Sequence, residues 1–443
     1  MDIYEPSHVH SDIISSNLVA NFNQVIMRLL ILLFLIQINL VGQESANVNK
    51  ISIGETFDIQ SSILKESREI YIYQPQGLWG MDENMDNLPV IYVLDAESQF
   101  NHTAATVDFL SIATNGNDFM PRCIVVGISN VDFNTRSRDL TPMEDQIFEV
   151  SGGGLNFLNF ITEELIPYID SNYPTSGHRT IIGHSLGGLI TFEALLRKRD
   201  YFANYIAIDP AFGIANESYL NEVIDTLNQS DLSTENVFFA IANNIPSILN
   251  SEDIMSDTSD YIRFNTIPNQ KFRNSLESND WNVNLNIKYY PKENHFSVPH
   301  KSTHDGLREL YSFYTFPEIT NFYHPKYKHK NDLVDKIKDH YNLISNKMGY
   351  EAIPMQGYIN SFAYGLSQFD REDMAISLLE YNIELHPKDP IVYNNLGYFF
   401  MSKEYNQKAI NMYNKSLELR SDDWVANTIK ELKHKVTEQN KER

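Results

Sequence analysis

The sequence predicts an α/β protein: a three-layer domain around a mostly parallel central sheet, followed by an all-α helical-repeat region. Three observations carry this. From about residue 50 to 316, short β-rich runs alternate with amphipathic helical stretches. Several of these runs are nearly unbroken Val and Ile, as expected for strands buried on both faces of a parallel sheet. From about residue 331 onward no strand run occurs, and two segments repeat 34 residues apart.

The expected strands are Glu69–Tyr73, Pro89–Leu94, Cys123–Ile128, Thr180–Gly183, Tyr205–Ile208, Val237–Ala242 and Asn286–Tyr290. The expected helices between and after them are Leu155–Ile169, Leu186–Lys198, Tyr219–Leu227 and Leu307–Phe316. In such a sheet the ligand site lies at the carboxyl ends of the strands. In the repeat region Ala375-Ile376 aligns with Ala409-Ile410, and Ile383-Glu384-Leu385 with Leu417-Glu418-Leu419. A 34-residue period with Ala at the helix crossing is the tetratricopeptide signature. Flanking helices Asn331–Met348 and Trp424–Val436 would complete a small solenoid. Two readings of this region stay open: a cap over hydrophobic faces of the first domain, or a groove for a protein partner.

Composition sets the limits. The 443 residues are 42% hydrophobic and 12% aromatic, enough for two or three domains with real cores and too apolar for a disordered chain. With 35 Lys+Arg against 58 Asp+Glu, the net charge of −23 repels phosphate backbones and excludes a nucleic-acid partner without a local basic patch. The short basic stretch His324 to Lys330 reads as a solvated linker. Cys123 is the only cysteine, so no disulfide forms within the chain.

The N-terminus carries Arg28, then the apolar run Leu29 to Ile36, then Gly42-Gln43 at a plausible cleavage point. This is a signal peptide pattern. Gln37 and Asn39 interrupt the run too early for a spanning helix, so no stable membrane span remains after cleavage. Met27 stands where translation would begin for such a leader. The expected organisation is a leader over residues 1–42, an α/β domain over 43–325 and a helical region over 326–443. The mature protein is expected to be exported, periplasmic or secreted.

The strongest local motif is Gly183-His184-Ser185-Leu186-Gly187, a G-x-S-x-G between a β-branched strand and an amphipathic helix. That is the context of a nucleophile elbow, with small residues on both sides of the Ser to let strand and helix approach. Ser185 is therefore the expected nucleophile. A hydroxyl needs a general base, and in this order the base follows the last strand. His295 sits there, in Glu293-Asn294-His295-Phe296-Ser297, before a helix expected to begin near Thr303. His184 would shape or line the turn. His300 and His304 form an i, i+4 pair with no third ligand at motif spacing, and read as a helix-surface pair.

Spacing leaves the acid open. Glu252, Asp253, Asp257 and Asp260 follow the strand before His295, and Asp209 ends the strand before that. Asp257 is the favoured position, and a Ser–His pair without an acid remains an alternative. The oxyanion donors are expected from the backbone N–H of Leu186 and, after the strand Pro89–Leu94, of Ala96. Substrate contacts are expected from Phe100, His184, Arg136 and Arg138. The two arginines stand in Arg136-Ser137-Arg138-Asp139, so either an internal Arg–Asp pair or a receiver for an anionic substrate group fits.

Leu94-Asp95-Ala96-Glu97, Arg138-Asp139-Leu140-Thr141-Pro142, Ser151–Gly154 before Phe157-Leu158-Asn159-Phe160-Ile161, Gly183–Gly188 and His295-Phe296-Ser297-Val298-Pro299 occur in this order. Together they resemble the "putative esterase" (esterase D-like) group of α/β-hydrolases, which includes siderophore, feruloyl and acetyl-xylan esterases. The resemblance covers roughly residues 50–316. It implies a serine carboxylic ester hydrolase that works without cofactor or metal on a small-molecule or glycan ester, with Ser185 and His295 as nucleophile and base. Ala96 departs from the Gly common after the Asp in this group. The alternatives are a hydrolase-like scaffold that binds partners through its helical repeats, and an acyltransferase.

Overall fold

Eight strands form a single sheet: β1 (Glu55–Gln60), β2 (Ser67–Tyr73), β3 (Leu88–Leu94), β4 (Ile124–Ile128), β5 (Thr175–His184), β6 (Asn204–Ile208), β7 (Leu232–Ala242) and β8 (Val283–Tyr290). Their spatial order is β1-β2-β4-β3-β5-β6-β7-β8. β2 is antiparallel to both neighbours, while β3 to β8 all run parallel. This is an α/β-hydrolase-like sheet. The computed structural model describes residues 52–76, 86–111, 118–249, 254–278, 281–317, 319–327 and 332–442. The leader expected over 1–42, with Met27, lies outside the described residues, as do Glu252 and Asp253.

The unbroken apolar strands behave as their composition requires. Every residue of β3 (LPVIYVL) and β4 (IVVGI) is buried. Successive side chains point to opposite faces of a strand, so Val90, Tyr92 and Leu94 enter one apolar layer while Ile91 and Val93 enter the other. Edge strand β1 is mostly exposed and carries little apolar signal. It pairs with β2 from Glu55 opposite Ile72 to Gln60 opposite Ser67.

Helices cover both faces. On one side lie α1 (Ala96–Leu110) and, after β8, a helix over Val298–Leu310. On the other lie Gly154–Phe160, a π turn over Ile161–Leu165, Ile166–Asn172, Leu186–Arg197 and Ser218–Gln229. The helix after β8 begins at Val298, earlier than the expected Thr303, because Pro299 in its first turn presets a helical φ. It ends at Leu310, and Tyr311 to Phe316 are turn and loop.

Beyond it, helices Leu333–Met348, Gln356–Gln368, Glu372–Leu385, Pro390–Ser402, Asn406–Leu419 and Asp423–Glu442 follow. The pair Gln356–Gln368 and Glu372–Leu385 recurs as Pro390–Ser402 and Asn406–Leu419, 34 residues on. Ala375 and Ala409 are fully buried at equivalent positions. The boundary expected at 325/326 is not a break in packing, since residues 53–443 form one compact unit. A single apolar cluster runs from Val93, Ile206 and Phe238 under the sheet, through Tyr311 and Phe316, to Ile337, Tyr341 and Phe362. His340 Nε2 lies 2.9 Å from the Tyr314 carbonyl oxygen across the same junction. Among the described residues no helix is long and apolar enough to cross a membrane.

Candidate active site

β5 ends at His184, and the chain turns at once into the helix Leu186–Arg197. The turn holds Ser185 at φ 59°, ψ −119°, a conformation an L-residue keeps only when its surroundings enforce it. Enforcement comes from the neighbouring strand and loop: Ser185 N–H donates to Ile208 O at 3.0 Å, and Ser185 O accepts from Gly188 N at 3.0 Å and Ala211 N at 3.2 Å. A Cβ at Gly183 would lie 2.1 Å from Gly187 O, so this glycine is obligatory. At Gly187 a Cβ would meet nothing closer than 3.5 Å, whereas at Gly188 it would press on Pro210 at 3.1 Å. The crowding therefore falls on Gly183 and Gly188, and not on the second glycine of the motif.

Two further strand ends share the left-handed backbone: Asp95 after β3 at φ 55° and Asp209 after β6 at φ 40°. Parallel strands put all three residues at the same edge of the sheet. From the loop after β8, His295 Nε2 reaches Ser185 Oγ at 3.0 Å, and His295 Nδ1 reaches Asp209 Oδ2 at 2.7 Å. Ser185, His295 and Asp209 thus form one hydrogen-bonded chain.

The acid position corrects the expectation for Asp257. Asp257 is half-buried at most, and its Oδ1 is taken by the N–H and hydroxyl of Ser259. Those hydrogen bonds hold its carboxyl below the ordinary range, and it has no contact with His295. Asp209 is 1% exposed and accepts four hydrogen bonds. Oδ2 takes His295 Nδ1 and Asn244 Nδ2 (2.7 Å), while Oδ1 takes Ala242 N (3.1 Å) and Asn269 Nδ2 (3.1 Å). Asn244, just beyond β7, also accepts from His295 N–H at 2.8 Å. The loop after β7 therefore supplies an amide that ties His295 to its acid, and the carboxylate comes from one strand earlier.

His184 supports the same loop. Its Nε2–H donates to the His295 carbonyl oxygen at 2.8 Å, and the two rings stand 4.5 Å apart. Burial, with His295 nearby, pushes its pKa down to about 4, so it is neutral at ordinary pH.

Leu186 and Ala96 each open a helix, and so their N–H groups belong to the first turn, which has no intrahelical acceptors. The two helix starts are adjacent, since a Cβ on Gly187 would lie 3.7 Å from Asp95 Oδ2. Asp95 is clamped by Arg136, with Nε–Oδ1 at 2.6 Å and Nη2–Oδ2 at 2.8 Å. Burial works against the guanidinium, but the Asp95 bond and charge outweigh it and hold the Arg136 pKa above its usual value. Arg138 points elsewhere: it pairs with Glu66 (2.7 Å) and Asp139 (2.7 Å), beside the buried Arg68–Asp139 pair (2.5 Å). Phe100 is a core residue in α1, 2% exposed and packed on Tyr71. Neither Arg138 nor Phe100 reaches the site, correcting the substrate contacts expected of them.

A cavity of about 530 Å³ opens over Ser185 and His295, walled by Asp95, Glu97, Asp132, Phe133, Arg136, His184 and Phe296 among others. Among the described residues no group of His, Cys, Asp or Glu is arranged to hold a metal ion. Chemically, the arrangement offers a hydroxyl in line with an imidazole, an acid behind it, and two helix N-termini beside the hydroxyl.

Residues 61–237 match the family described as "Putative esterase". Among curated proteins, the ferri-bacillibactin esterase BesA of Bacillus subtilis is 35% identical over 137 residues. That alignment covers 28% of this chain and 47% of the relative, so the chain spans about half the length of this curated relative. Among solved structures, an IroE-like serine hydrolase from Shewanella oneidensis is 29% identical at a TM-score of 0.57, covering 73% of this chain and 98% of that one. An uncharacterised protein from Capnocytophaga ochracea has the same fold at a TM-score of 0.54 and 16% identity, covering 86% of this chain and 99% of that one.

Proposed function

We propose that this esterase-family chain is a serine carboxylic ester hydrolase acting through an acyl-enzyme. The observation that carries the reading is the Ser185–His295–Asp209 chain, at 3.0 and 2.7 Å, on a strained strand-to-helix turn. Ser185 Oγ attacks the ester carbonyl carbon while its proton passes to His295 Nε2. Asp209 holds the Nδ1–H, fixes the tautomer that leaves Nε2 free to accept, and stabilises the imidazolium. The Leu186 and Ala96 N–H groups receive the oxyanion. The imidazolium then gives its proton to the departing alkoxide, and water deprotonated by His295 releases the acid.

The clamp of Arg136 on Asp95 supports a role in holding the Ala96 turn rather than in receiving an anion. The substrate is proposed as a small-molecule ester, with the similarity to the ferri-bacillibactin esterase BesA supporting that class. The apolar run at 29–36 supports export.

The test is labelling with a fluorophosphonate probe, paired with turnover of p-nitrophenyl acetate. Native chain is expected to label and turn over, and Ser185→Ala to do neither while keeping its circular dichroism. Full activity in Ser185→Ala would overturn the mechanism.

A further inference from the structure

The charge balance of the catalytic cavity points to a substrate class. Its wall carries three carboxylates, Asp95, Glu97 and Asp132, against one guanidinium, Arg136. The guanidinium is spent on Asp95 through two hydrogen bonds. Glu97 and Asp132 form no ion pair among the described residues, although the charge of Arg136 still acts on Glu97 and that of Arg138 on Asp132. Glu97 Oε1 accepts from Asn130 N at 2.5 Å, while Asp132, the N-cap of the helix Phe133–Leu140, accepts from Thr135 N at 2.7 Å and also bonds the Thr135 side chain and the Asn134 backbone N–H. His184 adds no positive charge, since burial keeps it neutral. The same cavity wall carries two aromatic side chains open to solvent, Phe133 at 65% and Phe296 at 86% exposure.

Aromatic faces beside carboxylates that outnumber the cationic side chains of the wall are the chemistry that receives an alkylammonium group. The same wall repels a carboxylate or sulfonate, and a net charge of −23 adds to that repulsion at longer range. We propose that the ester hydrolysed here bears a positively charged ammonium group, seated against Phe133, Phe296, Glu97 and Asp132, and that anionic esters are turned away. The inference rests on Ser185 being the nucleophile, as proposed above.

The test compares isosteric esters on the full chain. On the alcohol side these are acetylthiocholine, 3,3-dimethylbutyl thioacetate and the thioacetate of 2-mercaptoethanesulfonate. On the acyl side they are p-nitrophenyl esters of 4-trimethylammoniobutyrate, 5,5-dimethylhexanoate and glutarate, each corrected for spontaneous hydrolysis. One carboxylate about 6 Å from a substrate cation, at an effective dielectric of ~40, changes binding roughly tenfold. The expected result is a kcat/KM at least tenfold higher for the cation than for its neutral isostere in one series, with the anion slowest. The cation-to-neutral ratio should fall towards one in Glu97→Gln/Asp132→Asn and as salt is raised from ~0.02 to ~0.5 M. Asn caps a helix as well as Asp, so the second substitution keeps the helix Phe133–Leu140 capped. Equal or lower rates for the cation in both series, or a ratio unchanged in the double variant, would overturn the proposal. Failure of every ester, without fluorophosphonate labelling, would instead overturn the hydrolase reading.

Discussion

Replacing Asp209 with Asn changes one oxygen for an amide and leaves the volume almost unchanged. The cost can be worked from its four partners. Oδ1 accepts from the Ala242 backbone N–H, which cannot rotate away, and Oδ2 accepts from His295 Nδ1. The amide oxygen must therefore face Ala242, which turns the new NH2 group towards His295 and Asn244. His295 can meet a donor only by shifting its own proton to Nε2, and Nε2–H cannot take the proton of Ser185. The imidazolium of the transition state also loses its counter-charge. With the charge centres about 4 Å apart and an effective dielectric of ~20, that loss is about 4 kcal/mol, or roughly a thousandfold in kcat. The assay is steady-state hydrolysis of p-nitrophenyl acetate across pH, with circular dichroism to check folding. Asp209→Asn is expected to lose about a thousandfold in kcat with KM little changed. Asp257→Asn, whose side chain meets only Ser259 among the described residues, should stay within twofold of the parent. A folded Asp209→Asn within tenfold of the parent would refute the assignment of the acid.

Gly183→Ala is expected to abolish soluble, active protein, because its methyl would sit 2.1 Å from Gly187 O, whereas Gly187→Ala should raise the unfolding free energy, read from urea melts, by the ~0.5–1 kcal/mol that Ala gains over Gly in a helix. Burial lifts the Asp118 carboxyl to about 7. The folded state then holds a proton that the unfolded state has released, so stability falls as pH rises from about 4 through 7, by about 4 kcal/mol at most; urea midpoints at pH 5 and 8 should converge in Asp118→Asn. A chain stopped at residue 325 would uncover Leu310, Tyr311, Tyr314 and Phe316, each worth about 2 kcal/mol of burial, and should aggregate on size-exclusion chromatography.

The parts of the fold readable in the sequence are those where local pattern and tertiary environment agree. Ile-Val-Val in β4 and Val-Ile-Tyr-Val-Leu in β3 are buried on both faces, so their composition alone fits a central strand. β1 (ETFDIQ) escaped because an exposed edge strand has no apolar run to display. The helix Ala96–Leu110 escaped for a different reason. It begins one residue after β3, with Asp95 in a left-handed conformation replacing the usual loop and no side-chain cap to announce it. The helix Phe133–Leu140, absent from the expected helices, is capped by Asp132, which accepts from Thr135 N–H. Asp-x-x-Thr before a short charged helix is a weak signal beside the apolar runs that surround it.

The site divides in the same way. Ser185 and His295 stand at positions dictated by backbone geometry: the elbow needs Gly183, and the base needs the loop after the last strand. The acid has no such constraint. Its oxygen must only reach His295 Nδ1, and two neighbouring strand ends offer that reach. Here β6 contributes Asp209 and β7 contributes Asn244, which bonds both Asp209 and the His295 backbone. An Asp directly after a fully buried strand, followed by Pro210, carries a signal in retrospect: a charge at that depth persists only with partners. The same reasoning separates the two arginines. Arg136 and Arg138 lie on one short helix, two residues apart, and so face different directions. One side chain therefore falls on Asp95 beside the cavity, while the other falls on Glu66 and Asp139 away from it. Spacing along a helix could have told them apart once the helix itself was recognised, and the charge of the cavity follows from which of the two reaches it.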